Sequence, residues 1–201
     1  MALFIDSASR WMKVYGLRSK SETLGTLKKF VADMSGTGVP KAFRMDNGTE
    51  FTSEAVARFC DDTNIRREFT APDTPQQNGV AESAIWRVMK AGHAARIEAT
   101  RLFPGVDFSQ VPNIGAAGDR LWLESCHWEA GTFNRSPCSV NPGMKSPHEM
   151  PTGVPPPLQF VPFLQPGYMR VARGNKMEVQ AVLCFYLNSG DNHHFSAVKV
   201  I

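Results

Sequence analysis

The sequence predicts an α/β fold, a mixed sheet with helices packed on it. Three observations carry that prediction. The chain opens on two short apolar or alternating runs, Met1 to Ile5 and Trp11 to Leu17, joined by Asp6-Ser7-Ala8-Ser9-Arg10, which is the pattern of a strand hairpin. Helical periodicity then alternates with short strand-like runs. Beyond Ser136 the texture changes, because nine of the 14 prolines fall between Pro137 and Pro166.

After the hairpin, Leu24, Leu27, Val31 and Met34 recur at i, i+3, i+7 and i+10, so residues 20–34 form an amphipathic helix that Gly36 and Gly38 end. Ala42 to Met45 is a short strand ending at Asp46. Residues 53–62 form a second helix, with Val56, Phe59 and Cys60 inward and Thr52 or Ser53 as its cap. Ile65 to Thr70 is another strand, and 71–79 is a loop dense in turn residues. Residues 80–101 read as a long helix with Ala81, Ala84, Ile85 and Val88 on one face. A last helix runs from about Ala116 to Phe133. Three regions follow: a core domain over 1–136, a Pro-rich linker over 137–167, and a small β extension over 168–201 with strands near 168–171, 179–187 and 195–201.

Composition narrows the function little. The 201 residues are 42% hydrophobic and 20% charged, enough for one domain with a sizeable core plus an extension. A net charge of +3 permits nucleic-acid binding without arguing for it. Cys60, Cys126, Cys138 and Cys184 form no Cys-x-x-Cys pair and read as thiols of a reducing, intracellular compartment. The five-residue apolar start is too short for a secretory leader, and no apolar run reaches membrane-spanning length.

The chemistry lies in two carboxylates. Thirty-five residues separate Asp46 from Glu82. Asp46 sits in Phe43-Arg44-Met45-Asp46-Asn47-Gly48-Thr49-Glu50-Phe51, at the end of a strand, where a side chain is held rigidly. Glu82 closes Thr74-Pro75-Gln76-Gln77-Asn78-Gly79-Val80-Ala81-Glu82, in the first turn of the long helix, where the helix dipole favours an anion. Singly, each residue is ordinary: Asp-Asn-Gly is a common turn, and a first-turn Glu is common in helices.

Jointly, the two segments and their spacing resemble the D,D-35-E catalytic core of retroviral and retrotransposon integrases, most closely those of copia-type elements. Further stretches are similar to the same family: Phe4-Ile5-Asp6-Ser7-Ala8-Ser9-Arg10-Trp11, Lys20-Ser21-Glu22, Asn134-Arg135-Ser136-Pro137 and Ser146-Pro147-His148-Glu149. The resemblance covers residues 1 to about 150. It implies a ribonuclease H-like fold, polynucleotidyl transfer in DNA integration, Mg²⁺ or Mn²⁺ held by Asp46 and Glu82, self-association, and DNA as partner inside the nucleus. It places Gln77 and Asn78 in a loop that touches DNA. The histidines and cysteines lack zinc-finger spacing, so the family's zinc-binding module is not expected in this chain.

The pattern also breaks. The family's first catalytic Asp lies on its first strand, and this sequence begins with what resembles the second. Asp6 is separated from Asp46 by only 39 residues and reads as a turn residue rather than the third ligand. One catalytic carboxylate is therefore expected to be missing, and a second function follows: an inactive integrase remnant that keeps only nucleic-acid binding or self-association. After Glu82, basic residues give way to Ser83, Ala84, Ile85 and Trp86. Trp86 either stacks on a base or packs into a core or interface, the commoner fate of a large aromatic. Arg87, Lys90 and Arg96 either meet phosphates or form a solvated face.

Overall fold

The computed structural model describes residues 1–71, 78–157, 160–172, 174–175, 177–190 and 197–201, without the side chains at 116 and 117. The chain divides into two compact units, Met1–Arg87 with Phe133–Pro156, and Val88–Thr132 with Pro157–Ile201. The mixed α/β class is present, with parallel and antiparallel pairing carried by separate small sheets.

In the first unit, β1 (Ala2–Ile5) and β2 (Met12–Tyr15) pair antiparallel, with Leu3 opposite Val14. Their turn is tightly specified. The Asp6 carboxylate accepts hydrogen bonds from the Ser9 backbone N–H at 2.7 Å and from the Ser9 hydroxyl at 2.5 Å. Arg10 completes the turn in the left-handed region at φ +66°. Helix α1 (Thr23–Met34) follows, preceded by a 3₁₀ turn over Lys20–Glu22. Then come β3 (Ala42–Met45), the short helix α2 (Thr49–Thr52), α3 (Glu54–Asp62) and β4 (Arg66–Phe69). Ser53 caps α3, its hydroxyl accepting from the Val56 N–H at 3.5 Å. A parallel pair needs a crossover, and α2 and α3 supply it: β3 and β4 run parallel, with Met45 opposite Phe69.

Strand alternation puts Phe43 and Met45 inside while Arg44 faces out and bonds Glu68 on β4 at 3.0 Å. The core gathers Tyr15, Leu27, Phe30, Val56, Cys60 and Ile65 around them. Phe4 stacks on Phe30 with centroids 4.0 Å apart. The apolar residue buried beside Leu27 on α1 is thus Phe30, while Leu24, Val31 and Met34 pack only at the core margin. Asn134 serves as a substitute strand. Its side-chain amide accepts from the Met12 N–H at 2.8 Å and donates to the Met12 carbonyl at 2.7 Å. Asn141 donates to the Ser9 carbonyl at 3.0 Å, so the hairpin is secured from the chain's later half within the same unit.

Helix α4 (Gly79–Leu102) extends from one unit's residues into the other's, and so does α5 (Trp122–Arg135), which is preceded by a 3₁₀ turn over Ala116–Leu121. Ala84 and Val88 are buried, as the face predicted, but Trp86 is 61% exposed rather than packed in a core. In the second unit α4 and α5 approach closely at Gly92, where a Cβ would lie 3.0 Å from the Ser125 hydroxyl and 3.1 Å from its carbonyl carbon. The antiparallel strands β5 (Pro166–Arg170), β6 (Ala181–Asn188) and β7 (Lys199–Val200) close this unit around Ala99, Ile114, Leu121, Phe163, Leu164, Phe185 and Leu187. Glu129 on α5 is buried, and desolvation pushes its carboxyl up to about 7. No helix among the described residues is long and apolar enough to cross a membrane.

Candidate functional site

Asp46 follows the last residue of β3 and is exposed. Its carboxylate accepts from the Gly48 N–H at 3.0 Å, which fixes its orientation relative to the turn. Gly48 is not there for a left-handed backbone, since its φ is −58°. Space explains it instead. A Cβ on Gly48 would lie 2.9 Å from Asp46 Oδ1 and 2.8 Å from Glu50 Oε2. Two carboxylates therefore converge on one glycine.

Glu50 is the residue that the sequence did not single out. It lies in the first turn of α2, its Oε1 3.0 Å from Lys20 Nζ. Its own backbone N–H and the Lys20 ammonium hold its carboxyl below the usual range. The other oxygen, Oε2, is buried with no hydrogen-bond partner among the described residues. A buried acceptor without a donor is costly, and a cation is one thing that satisfies it. An all-oxygen donor pair suits Mg²⁺ or Mn²⁺, which bind through one or two carboxylates and otherwise keep water or phosphate oxygens. The Asp46 and Glu50 pair therefore fits such an ion in its chemistry.

Glu82 lies in the first turn of α4, exposed. Asn78 begins that helix: its carbonyl accepts from the N–H groups of Ala81 at 2.9 Å and Glu82 at 3.1 Å. Gln77 lies outside the described residues. Among the described residues no three His, Cys, Asp or Glu side chains are gathered to hold a metal, so Asp6, Asp46 and Glu82 form no such group. Asp6 is used by its own turn. Burial acts to raise its carboxyl, but the hydroxyl and N–H of Ser9 outweigh that and leave it below its usual value.

Of the basic residues on α4, Arg87 is exposed and its guanidinium lies over the Phe133 ring, 4.7 Å from the centroid. Lys90 is exposed on the same helix. Arg96 is committed to structure, since it donates to the Ser125 hydroxyl within the second unit.

The integrase core domain family matches this chain over residues 1–75. Residues 1–75 are thus similar in sequence to integrase core domains. A Pol polyprotein of transposon TNT 1-94 from Nicotiana tabacum is 46% identical over 81 residues, which is 39% of this chain and 6% of that polyprotein. The Pro-Pol polyprotein of feline foamy virus is 32% identical over 78 residues, 39% of this chain and 7% of its own length. The chain thus matches well under a tenth of either relative. An HTLV-2 integrase catalytic core, solved in complex with magnesium in a trimeric form, aligns over 74% of this chain and 82% of its own at 18% identity and a TM-score of 0.45. The integrase-core match includes Asp6, Asp46, Asn47 and Glu50, whereas Asn78, Glu82, Arg87 and Lys90 lie beyond it.

Proposed function

We propose that this chain is the catalytic core of a copia-type retrotransposon integrase, a ribonuclease H-like polynucleotidyl transferase that joins a DNA 3′ hydroxyl to a target phosphodiester in the nucleus. One new P–O bond forms as one breaks, and the departing 3′ oxygen takes up a proton. The observation that carries the reading is the Asp46 carboxylate at the end of β3, sharing the space over Gly48 with the orphaned Glu50 oxygen, inside the integrase-core match. Asp46 and Glu82 are the proposed ligands. A bound Mg²⁺ or Mn²⁺ would lower the pKa of the attacking hydroxyl and stabilise the leaving oxygen. Gln77, Asn78, Arg87 and Lys90 would hold the DNA, largely through phosphate. Residues 1–136 are proposed as the core domain, 137–167 as a linker and 168–201 as a small β extension, and the chain is proposed to self-associate.

An inactive remnant that keeps nucleic-acid binding or self-association is the second reading. What favours it is that Asp46, Glu50 and Glu82 make no group of three. The test is Mn²⁺ titration followed by electron paramagnetic resonance, with strand-transfer assays on the same samples. The first reading expects saturable Mn²⁺ binding that Asp46→Asn and Glu82→Gln each weaken. Binding indifferent to both substitutions overturns it, and DNA binding without joining then selects the second.

A further inference from the structure

We infer that Asn47 is the positioning residue of this site: its side-chain amide takes the place of a backbone rung in the β3–β4 ladder and clamps Asp46 from its far side. The inference rests on the reading of Asp46 as a metal ligand given above.

The ladder itself makes the argument. In a parallel pair each strand alternately donates to and accepts from its neighbour. The Arg66 N–H donates to the Lys41 carbonyl at 2.9 Å, and the Thr70 N–H donates to the Met45 carbonyl at 3.0 Å. By the same alternation, the next rung would run from the backbone N–H of residue 47 to the Thr70 carbonyl. That carbonyl instead accepts from Asn47 Nδ2 at 2.8 Å. Pairing thus continues for one more rung while the backbone is free to leave the strand.

Two consequences follow. The chain after Asp46 can turn at once into α2, where the N–H groups of Phe51 and Thr52 reach back to the Gly48 carbonyl at 2.9 and 3.1 Å. Asp46 is meanwhile fixed on both sides to one buried residue, Thr70, through Met45 before it and Asn47 after it. Thr70 is also where the chain departs toward α4 and Glu82, so the clamp ties together the starting points of both carboxylate-bearing segments. Only a short side chain with an N–H donor serves. Aspartate would set an oxygen against a carbonyl oxygen, and alanine does not reach.

Groups that orient metal ligands typically change affinity by 10–100-fold when removed. The full 201-residue chain is titrated with Mn²⁺ as wild type, Asn47→Ala, Asn47→Gln and Asp46→Asn, with thermal unfolding recorded for each. Asn47→Ala is expected to weaken Mn²⁺ binding by about tenfold or more while still unfolding cooperatively. Asn47→Gln, which keeps the donor, recovers part of that loss. Wild-type affinity in Asn47→Ala overturns the inference. Should Asn47→Ala fail to fold, nitrogen-15 NMR of the wild-type chain decides: clamped Asn47 side-chain amide protons exchange slowly with solvent, and exchange as fast as that of a free asparagine amide overturns the clamp. If Asp46→Asn keeps wild-type affinity, the metal reading of Asp46 falls. If Asp46→Asn loses affinity and Asn47→Ala does not, only the present inference falls.

Discussion

Asp6 and Glu129 show how differently two carboxyls are used. Asp6 reads in the sequence as a turn residue, and the structure commits it to the Ser9 N–H and hydroxyl. Hydrogen bonds to a charged group contribute about 1.5–3 kcal/mol. Asp6→Ala should therefore lower stability in urea denaturation by roughly that amount, with Mn²⁺ affinity unchanged. Because the folded Asp6 carboxyl lies below its unfolded value, its contribution is present above that unfolded value and is lost as pH falls through the folded one. Glu129 has the opposite sign. Its carboxyl rises from 4.5 to about 7 on burial, so folding carries no ionisation penalty below 4.5. The penalty grows between 4.5 and about 7 and is complete above that, on the order of 3 kcal/mol. Glu129→Gln should thus raise the thermal midpoint at pH 8 and leave it nearly unchanged at pH 4. A variant destabilised at pH 8 would mean that the carboxylate has a favourable partner. The turn role of Asp6 was readable from sequence; the shift at Glu129 was not, because in the sequence it is one glutamate in a helix.

At the scale of elements, periodicity served well wherever a helix was long and one-sided. The helices over 20–34, 53–62 and 80–101 correspond to α1, α3 and α4 within a few residues. The misses have physical causes. Helix α2 has four residues, too few for any period. Phe30 and Leu27 both lie within the inner arc of α1, and which neighbour goes deepest depends on Phe4 and Phe43 from distant strands. Trp86 was expected to stack on a base or to pack in a core or interface; its exposure excludes only the core, and reflects a position on α4 opposite Ala84 and Val88. The Asn134 motif was recognised by resemblance alone. Its work, two hydrogen bonds to Met12 in place of a strand, is a tertiary fact. Asn134→Ala should destabilise the chain by about 1–3 kcal/mol, because the Met12 groups lose their partners. Hydrogen exchange should show faster exchange of the Met12 amide; unaltered protection would put that amide's protection elsewhere. Gly92→Ala should destabilise by about 1–3 kcal/mol through overpacking against Ser125, partly offset by better helix propensity.

For the whole molecule, the D,D-35-E spacing nominated Asp46 and Glu82 as candidates, since 46 and 82 can be counted off the sequence. Glu50, Asn47 and Lys20 could not be placed that way. Their roles rest on a ladder rung, an ion pair and a crowded glycine that exist only once β3, β4 and α1 have assembled. The nucleic-acid reading is tested on the intact chain. Duplex binding should fall steeply with salt, and replacing Arg87 and Lys90 together with alanine should flatten the slope by about two. Equal slopes in the two proteins would assign this helix face to solvent. Arg87→Ala also removes the contact with Phe133, so a loss of about 0.5–1 kcal/mol in stability accompanies it whatever the DNA result.

The crowding at Gly48 has a consequence for how sequences of this kind drift. The atoms that an added methyl would meet are the free ends of two side chains, which can swing aside, and the backbone there is one that any residue adopts. Alanine at 48 is thus tolerated by the fold while displacing both carboxylates. Gly79, with nothing within 4 Å of its Cβ position, is open to substitution on packing grounds. In a saturation library sorted first for soluble expression and then for metal-dependent joining, position 48 should pass the first sort and fail the second, and position 79 should pass the first. A copy of this sequence released from selection would change at 48 without any trace in its stability.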